Sequence, residues 1–312
     1  MKIFDCSNLS NYPAHRGFGG PVVNDVVRQL KLHSSEYHCK WIDNPEKADI
    51  LFTNDVFGDF INFKNKLKVK RMDGSFWQKG LLQRNIPFDE AAKQADVVVY
   101  ISKYSQLSHQ ERCDIPKKYV IAINSASPIE YPRKKYYEKQ PKKFVAIATD
   151  WAREEKRGAS LIPVASFVNE LIVIGSFPNW LKANNITKVG YKSSQYISEV
   201  LKECDCLVNL SYLDAAPKVV CQAAAIGIPI LYANSGGTSE IVGAGIPIED
   251  PNVSKFDCTQ TPFIPIEKIK EGIEKIKENW EDLILKAKNF DAQKQYQIMI
   301  EKYYRNGFGL GN

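Results

Sequence analysis

Short runs of Val, Ile and Leu alternate along the chain with stretches whose apolar residues recur every three or four positions. Nearly continuous apolar strands separated by amphipathic helices are the pattern of a parallel sheet covered on both faces. Strands are expected at Lys2 to Cys6, His38 to Ile42, Asp49 to Phe52, Lys68 to Met72, Asp96 to Ile101 and Val120 to Ile123. A second series follows at Phe144 to Ala148, Leu171 to Ile174, Cys206 to Leu210 and Ile230 to Ala233. Val22, Val23, Val26, Val27 and Leu30 mark one intervening helix. After Pro265, Ile266, Ile269, Ile273 and Ile276 open a helical region that runs to about Tyr304. Both halves read as doubly wound α/β.

Between the two series lies a proline-bounded basic stretch from Tyr131 to Lys143 with little apolar periodicity, which predicts a solvated linker over 136–143. It divides the chain into a first Rossmann-like domain over 1–135, a second over 144–290, and a terminal helix and tail over 291–312. The length of 312 residues fits two domains of roughly 150 residues each. A second basic run, Lys64 to Arg71, reads as a charged sheet edge. The net charge of +6 comes without an arginine-rich groove motif, so no nucleic-acid partner is expected. Basic patches are compatible with peripheral contact with an anionic membrane. The fattest apolar stretch, Val219 to Ala233, is broken by Gln222, Gly227 and Pro229, too short for a membrane span. The N-terminus has no long apolar segment of the secretory type, and the seven cysteines form no CxxC pair. A cytoplasmic location follows as an expectation. The four histidines have neither HxxxH spacing nor cysteine partners, and no metal is expected.

Two segments carry candidate chemistry. The first strand runs into Ser10 to Pro21, containing His15, Gly17, Gly19 and Gly20 just before a helix. Glycines at such a turn let backbone amides approach an anion, and the helix N-terminus favours negative charge. The spacing Gly-x-Gly-Gly is not the dinucleotide fingerprint Gly-x-Gly-x-x-Gly, which argues against a nicotinamide oxidoreductase. The second segment is Ser211 to Ile230. Pro217 suits a helix start and Gly227 its left-handed end, so Asp214 is placed in the loop above a strand's carboxyl end, where open α/β sheets bind ligands. A carboxylate there serves either as a helix cap or as an acceptor for sugar hydroxyls.

The segment Asp214-Ala215-Ala216-Pro217-Lys218-Val219-Val220-Cys221-Gln222-Ala223 resembles the signature of retaining family 4 glycosyltransferases, written in one branch Asp-x-x-Pro-Asn-Val-Val-x-Glu-Ala. Gly236-Gly237-Thr238-Ser239-Glu240 is similar to the family's Gly-Gly-x-x-Glu. Arg71-Met72-Asp73-Gly74 resembles Arg-x-Asp-Gly, Ser102-Lys103-Tyr104-Ser105 resembles Ser-x-Tyr-Ser, Ile123-Asn124-Ser125 resembles Ile-x-Asn-Gly, and Trp151 with Arg157-Gly158 resembles a Trp…Lys-Gly motif. The resemblance implies a GT-B-like fold: two doubly wound Rossmann-like domains facing across a cleft, with C-terminal helices. It also implies transfer of a sugar from a nucleoside diphosphate-sugar donor to a hydroxyl acceptor, with retention, without cofactor and without metal.

Under that resemblance, Arg157 would clamp the donor diphosphate, with Arg153, Lys156 and Lys218 as supplementary cations. Asp214 would hold the donor sugar, and Gly19, Gly20, Gly236 and Gly237 would offer backbone amides. Asp73 would orient the transferred sugar or the acceptor, and His15 would touch the acceptor, which can be a glycan, lipid or protein. Gln222 stands where the family has an acid that accepts from the ribose, and an amide offers one acceptor and one donor group instead. That substitution supports a second expectation, a non-catalytic sugar-nucleotide-binding relative acting as scaffold or partner.

Overall fold

The computed structural model describes residues 1–6, 20–55, 57, 61–75, 81–114, 118–250, 256 and 260–310, the side chains of 20–24 excepted. The described residues up to 124, with those from 297 onward, form one compact unit, and residues 125–296 form the other.

In the first unit six parallel strands are ordered β2-β1-β3-β4-β5-β6. They are β1 (Lys2–Asp5), β2 (Lys40–Trp41), β3 (Ile50–Thr53), β4 (Leu67–Met72), β5 (Val97–Tyr100) and β6 (Tyr119–Ile121), with helices α1 (Gly20–Leu32), α2 (Ile86–Lys93) and α3 (Lys103–Gln110) between them. Every residue of β3 and β5 is buried, as expected where helices cover both faces. Lys64 to Arg71, expected as a charged edge, belongs instead to an interior strand: β4 lies between β3 and β5. Its last basic residues, Lys70 and Arg71, are 0% and 1% exposed. Lys70 offsets its burial by donating to the carbonyls of Asn54 (2.8 Å) and Arg71 (2.6 Å), while desolvation pulls its pKa down to about 7.

The second unit holds the order β12-β11-β10-β7-β8-β9, again parallel throughout. Its elements are β7 (Lys143–Asp150), α4 (Leu161–Phe167), β8 (Glu170–Ser176), β9 (Ile186–Val189), α5 (Ser194–Glu203), β10 (Cys206–Asn209), α6 (Lys218–Ile226), β11 (Ile230–Asn234), β12 (Gly245–Glu249), α7 (Ile266–Glu278) and α8 (Trp280–Asn289). Phe144, Val173, Val208 and Leu231 from the sheet pack with Ile269, Ile273, Ile276 and Trp280. Three members of the expected isoleucine stripe of α7 therefore form its core face, while Ile266, at its first position, is exposed. All ten expected strands are present. The two additional ones, β9 and β12, are the sheet's edges; their Ile-Thr-Lys-Val and Gly-Ile-Pro-Ile-Glu sequences are half-exposed and, in β12, carry a proline that only an edge strand tolerates.

Most of the stretch 136–143 leading into β7 is exposed, but the residues around its start are anchored. Arg133 donates to the carbonyls of Ala287 (2.7 Å) and Lys288 (2.6 Å) and to that of Phe290, satisfying the last turn of α8. Lys134 Nζ donates to Cys204 O (2.7 Å) at the end of α5, Tyr137 OH to Gly227 O (2.8 Å), and Trp280 Nε1 to Glu138 O (2.8 Å). Its basic and aromatic side chains are used to cap helix C-termini, where carbonyls are orphaned and the dipole is negative. A last helix, α9 (Ala292–Glu301), leads into a π turn over Lys302–Gly307 that belongs to the first unit. There Tyr304 stacks on Tyr37 at 4.4 Å between ring centres, Phe308 meets Phe52 edge-on at 5.6 Å, and Lys302 Nζ donates to Ile121 O at 2.8 Å.

Candidate active site

Neighbouring parallel strands deliver their following loops to one edge of a sheet, so the loops after β7, β10 and β11 share the carboxyl edge of the second unit. The loop after β7 is anchored by Trp151, whose indole donates to Ile174 O at 3.0 Å. Gly158 is required there, because a Cβ would stand 2.6 Å from Trp151 O. The loop after β10 is tied to it by Tyr212 N donating to Glu155 O at 2.7 Å. The loop after β11 closes on Asp214: Gly237 N donates to Asp214 O at 2.9 Å and Leu213 N to Ser235 Oγ at 2.8 Å. Gly236 has φ +67°, and a Cβ on it would lie 2.3 Å from Asp214 O. The Gly-Gly pair is thus the surface against which the Asp214 loop is moulded.

At the centre, Lys156 Nζ and Asp214 Oδ2 are 2.7 Å apart, their side chains 18% and 23% exposed. This pair joins two residues singled out from the sequence. Arg157 does something else. Its left-handed backbone (φ 51°, ψ 44°) turns its side chain away from that of Lys156. The guanidinium binds Asp250 in two-pronged fashion, Nη1 to Oδ2 at 2.7 Å and Nη2 to Oδ1 at 2.9 Å. Its Nε donates to Pro262 O at 2.9 Å, Nη1 reaches Leu210 O at 3.3 Å, and the plane lies 4.8 Å over the ring of Tyr212. The expectation that Arg157 clamps a diphosphate is corrected on that ground: with its side chain 3% exposed and its fork filled by Asp250, it fastens the site loop to the chain beyond β12. Asp250 carries no motif, which is why the sequence did not reveal this use.

The remaining expected residues fall as follows. Arg153 pairs with Glu155 and is 39% exposed along its side chain. Lys218 opens α6, with Pro217 before it, and Gly227 closes that helix at φ 84°. Gln222 is buried, its Nε2 donating to Tyr131 OH at 2.6 Å. Gly20 is the first residue of α1; Gly19 and His15 lie outside the described residues. In the first unit, Asp73 follows β4, and its carbonyl accepts from Ser105 Oγ (2.6 Å) and His109 Nε2 (2.9 Å). Because a carbonyl only accepts, that contact places the His109 proton on Nε2 and leaves Nδ1 to receive Arg112 Nη2 at 3.0 Å. Burial lowers the His109 pKa, keeping the ring neutral near pH 7. Asn209 Nδ2 and Thr238 Oγ1, at the same edge as Asp214, are buried without a hydrogen-bond partner among the described residues. No group of three or more His, Cys, Asp or Glu there is arranged to hold a metal.

Solved structures share this fold. The chain superposes on the Anabaena protein HepE in complex with UDP and glucose with TM-score 0.67 and 14% identity, covering 96% of this chain and 98% of that one. The fold is GT-B. WaaG, a glycosyltransferase involved in lipopolysaccharide biosynthesis, matches at TM-score 0.64 and 14% identity over 99% of this chain and 100% of its own. S. aureus TarM, solved with UDP and other ligands, matches at TM-score 0.59 and 16% identity; 84% of this chain aligns, and it spans about half, 54%, of TarM. Residues 179–295 match the family model for glycosyl transferases group 1, a segment running from the loop after β8 into α9 and containing Asp214 and Gly236 of this GT-B chain. No curated protein matches the sequence. Among the described residues, no helix of the GT-B chain is long and apolar enough to cross a membrane.

Proposed function

We propose that the protein is a retaining glycosyltransferase that moves a sugar from a nucleoside diphosphate-sugar to a hydroxyl acceptor. The observation that carries the reading is the Lys156–Asp214 pair at the carboxyl edge of the second sheet, set against Gly236 and Gly237. On donor binding, Lys156 would turn to the diphosphate and Asp214 would accept from the sugar hydroxyls, with Lys218 and the Gly237 loop as further contacts. Two non-glycine residues in left-handed conformation, Arg157 and Leu213, flank that pair directly. Such strain costs about 1–3 kcal/mol per residue and gathers at functional sites. The group 1 match covers Asp214, and HepE and TarM were solved with UDP, which favours a uridine diphosphate donor.

In the reaction the bond from the anomeric carbon to the phosphate oxygen breaks. The acceptor oxygen bonds to the same face of the sugar, and its proton passes to the departing phosphate. Lysine charge then stabilises the leaving diphosphate as negative charge grows on it. Asp73, with its carbonyl fixed and its side chain 38% exposed, is proposed to orient the acceptor. Cations from the chain would serve where other transferases use a metal, so turnover is expected to survive chelation. Incubation with a panel of uridine diphosphate sugars and candidate acceptors, read by mass spectrometry and by the anomeric proton coupling of the product, tests this. Release of the nucleotide with an unchanged anomeric configuration, with or without chelator, is the expected result. An inverted product or a strict metal requirement would each refute the corresponding part.

Gln222 favours a second reading, a sugar-nucleotide-binding protein without turnover, because its amide donates to Tyr131. Gln222→Glu separates the two. The buried carboxylate must receive the Tyr131 proton instead, at a cost of about 1–3 kcal/mol. We expect a lower melting temperature and no gain in transfer. A gain of tenfold or more in donor affinity or turnover would mark a site that has decayed from an acid.

A further inference from the structure

Two arginines of the second unit spend their donors on the fold. Arg157 engages Nε, Nη1 and Nη2, and Arg133 caps three carbonyls of one helix end. Arg71 does not. It is 1% exposed at the end of β4, yet its Nε and Nη1 have no hydrogen-bond partner among the described residues. Only Nη2 is engaged, 2.8 Å from Asp73 Oδ1 and 3.5 Å from Asn124 Oδ1. Tyr303 is fully buried, and its hydroxyl has no hydrogen-bond partner among the described residues. Burial opposes the charge of Arg71, but the attraction of Asp73 and its neighbours outweighs that and raises the guanidinium's pKa, so it stays a fixed cation against a part-exposed carboxylate. It is a good device for fixing an angle. Asp73 is held from behind as well, its carbonyl receiving Ser105 and His109 from α3. Backbone and side chain of one part-exposed residue are thus held from two elements of the first unit, β4 and α3.

We propose that Arg71 is a positioning residue for glycosyl transfer, holding the Asp73 carboxylate at the angle from which it meets the acceptor hydroxyl. The inference rests on the reading of Asp73 given above, and its test separates the two. Arg71→Met, Arg71→Lys, Asp73→Asn and the double variant Arg71→Met/Asp73→Asn are compared for kcat, donor KM, acceptor KM and melting temperature. Methionine fills the space of the buried stem but leaves Asp73 Oδ1, itself a buried atom, without its cation, so a moderate loss of stability is expected. A misaimed group costs about 10- to 100-fold in rate. Arg71→Met should therefore lose about that much kcat at unchanged donor KM, measured at a temperature where the variant is folded. Arg71→Lys, which restores a charge, should recover part of the loss. The double variant should transfer no more slowly than Asp73→Asn alone.

Normal kcat in Arg71→Met, or a loss that multiplies onto that of Asp73→Asn, would overturn the inference, the second result marking Arg71 as a fold residue. Should Arg71→Met not fold, Arg71→Lys in the parent and Asp73→Asn backgrounds gives the same comparison. If Asp73→Asn transfers like the parent, the reading of Asp73 itself is refuted, whatever Arg71 does.

Discussion

Asp214→Asn is expected to lower kcat/KM for glycosyl transfer by about 100- to 1000-fold while leaving the fold almost untouched. The rate term follows from losing a charged acceptor where a sugar hydroxyl must be held as the bond to phosphate breaks; one preorganised polar contact of that kind is worth about that factor. The stability term is small because the Lys156–Asp214 pair is 18% and 23% exposed, so water screens it and its net worth stays below about 1 kcal/mol. The loop itself is held through the main chain, by Gly237 N on Asp214 O and Ser235 Oγ on Leu213 N, and those bonds survive the substitution. Donor titration by calorimetry alongside rate measurement checks both halves. A folded Asp214→Asn protein that transfers sugar at the parental rate would refute the role proposed for Asp214.

Arg157→Met has the opposite profile. It leaves Asp250, whose side chain is 0% exposed, as a buried charge without its partner, and breaking such a pair costs about 3–5 kcal/mol. At about 2–4 °C per kcal/mol for a domain of this size, thermal unfolding should fall by roughly 10 °C. Adding Asp250→Asn should recover much of that loss, since it removes the stranded charge rather than a contact. Differential scanning calorimetry of the two single variants and the double variant measures the coupling. An unchanged melting temperature accompanied by abolished donor binding would restore the guanidinium to the diphosphate and undo the correction made above.

These two residues show what the sequence carried and what it did not. Asp214 was legible because its setting is local: a strand end before it, Pro217 and Gly227 bounding the helix after it, and Gly236-Gly237 one strand further on. The neighbouring cations were legible only as a group. Which of Lys156 and Arg157 faces Asp214 depends on one left-handed backbone at Arg157 and on a carboxylate 93 positions away, neither of which leaves a pattern in the chain. Strands buried on both faces were recognisable from continuous Val and Ile, whereas β9 and β12 mix polar residues, glycine and proline as edges do. The charged sheet edge misled because charge density reads as solvent, whereas Lys70 finds the carbonyls of Asn54 and Arg71, and Arg71 finds Asp73. Arg133 and Lys134, just before the expected linker, likewise find carbonyls supplied by distant segments.

The aromatic residues that close the first unit have a bearing on biosynthesis. Tyr303, Tyr304 and Phe308 complete a core whose other members, Phe52 and Trp41, leave the ribosome some 250 residues earlier. Residues 125–296 are synthesised in full while that core still lacks its final layer. The nascent first unit must therefore wait with apolar surface uncovered until residues 303–308 have been synthesised, and a chain interrupted near residue 296 would release it in that state.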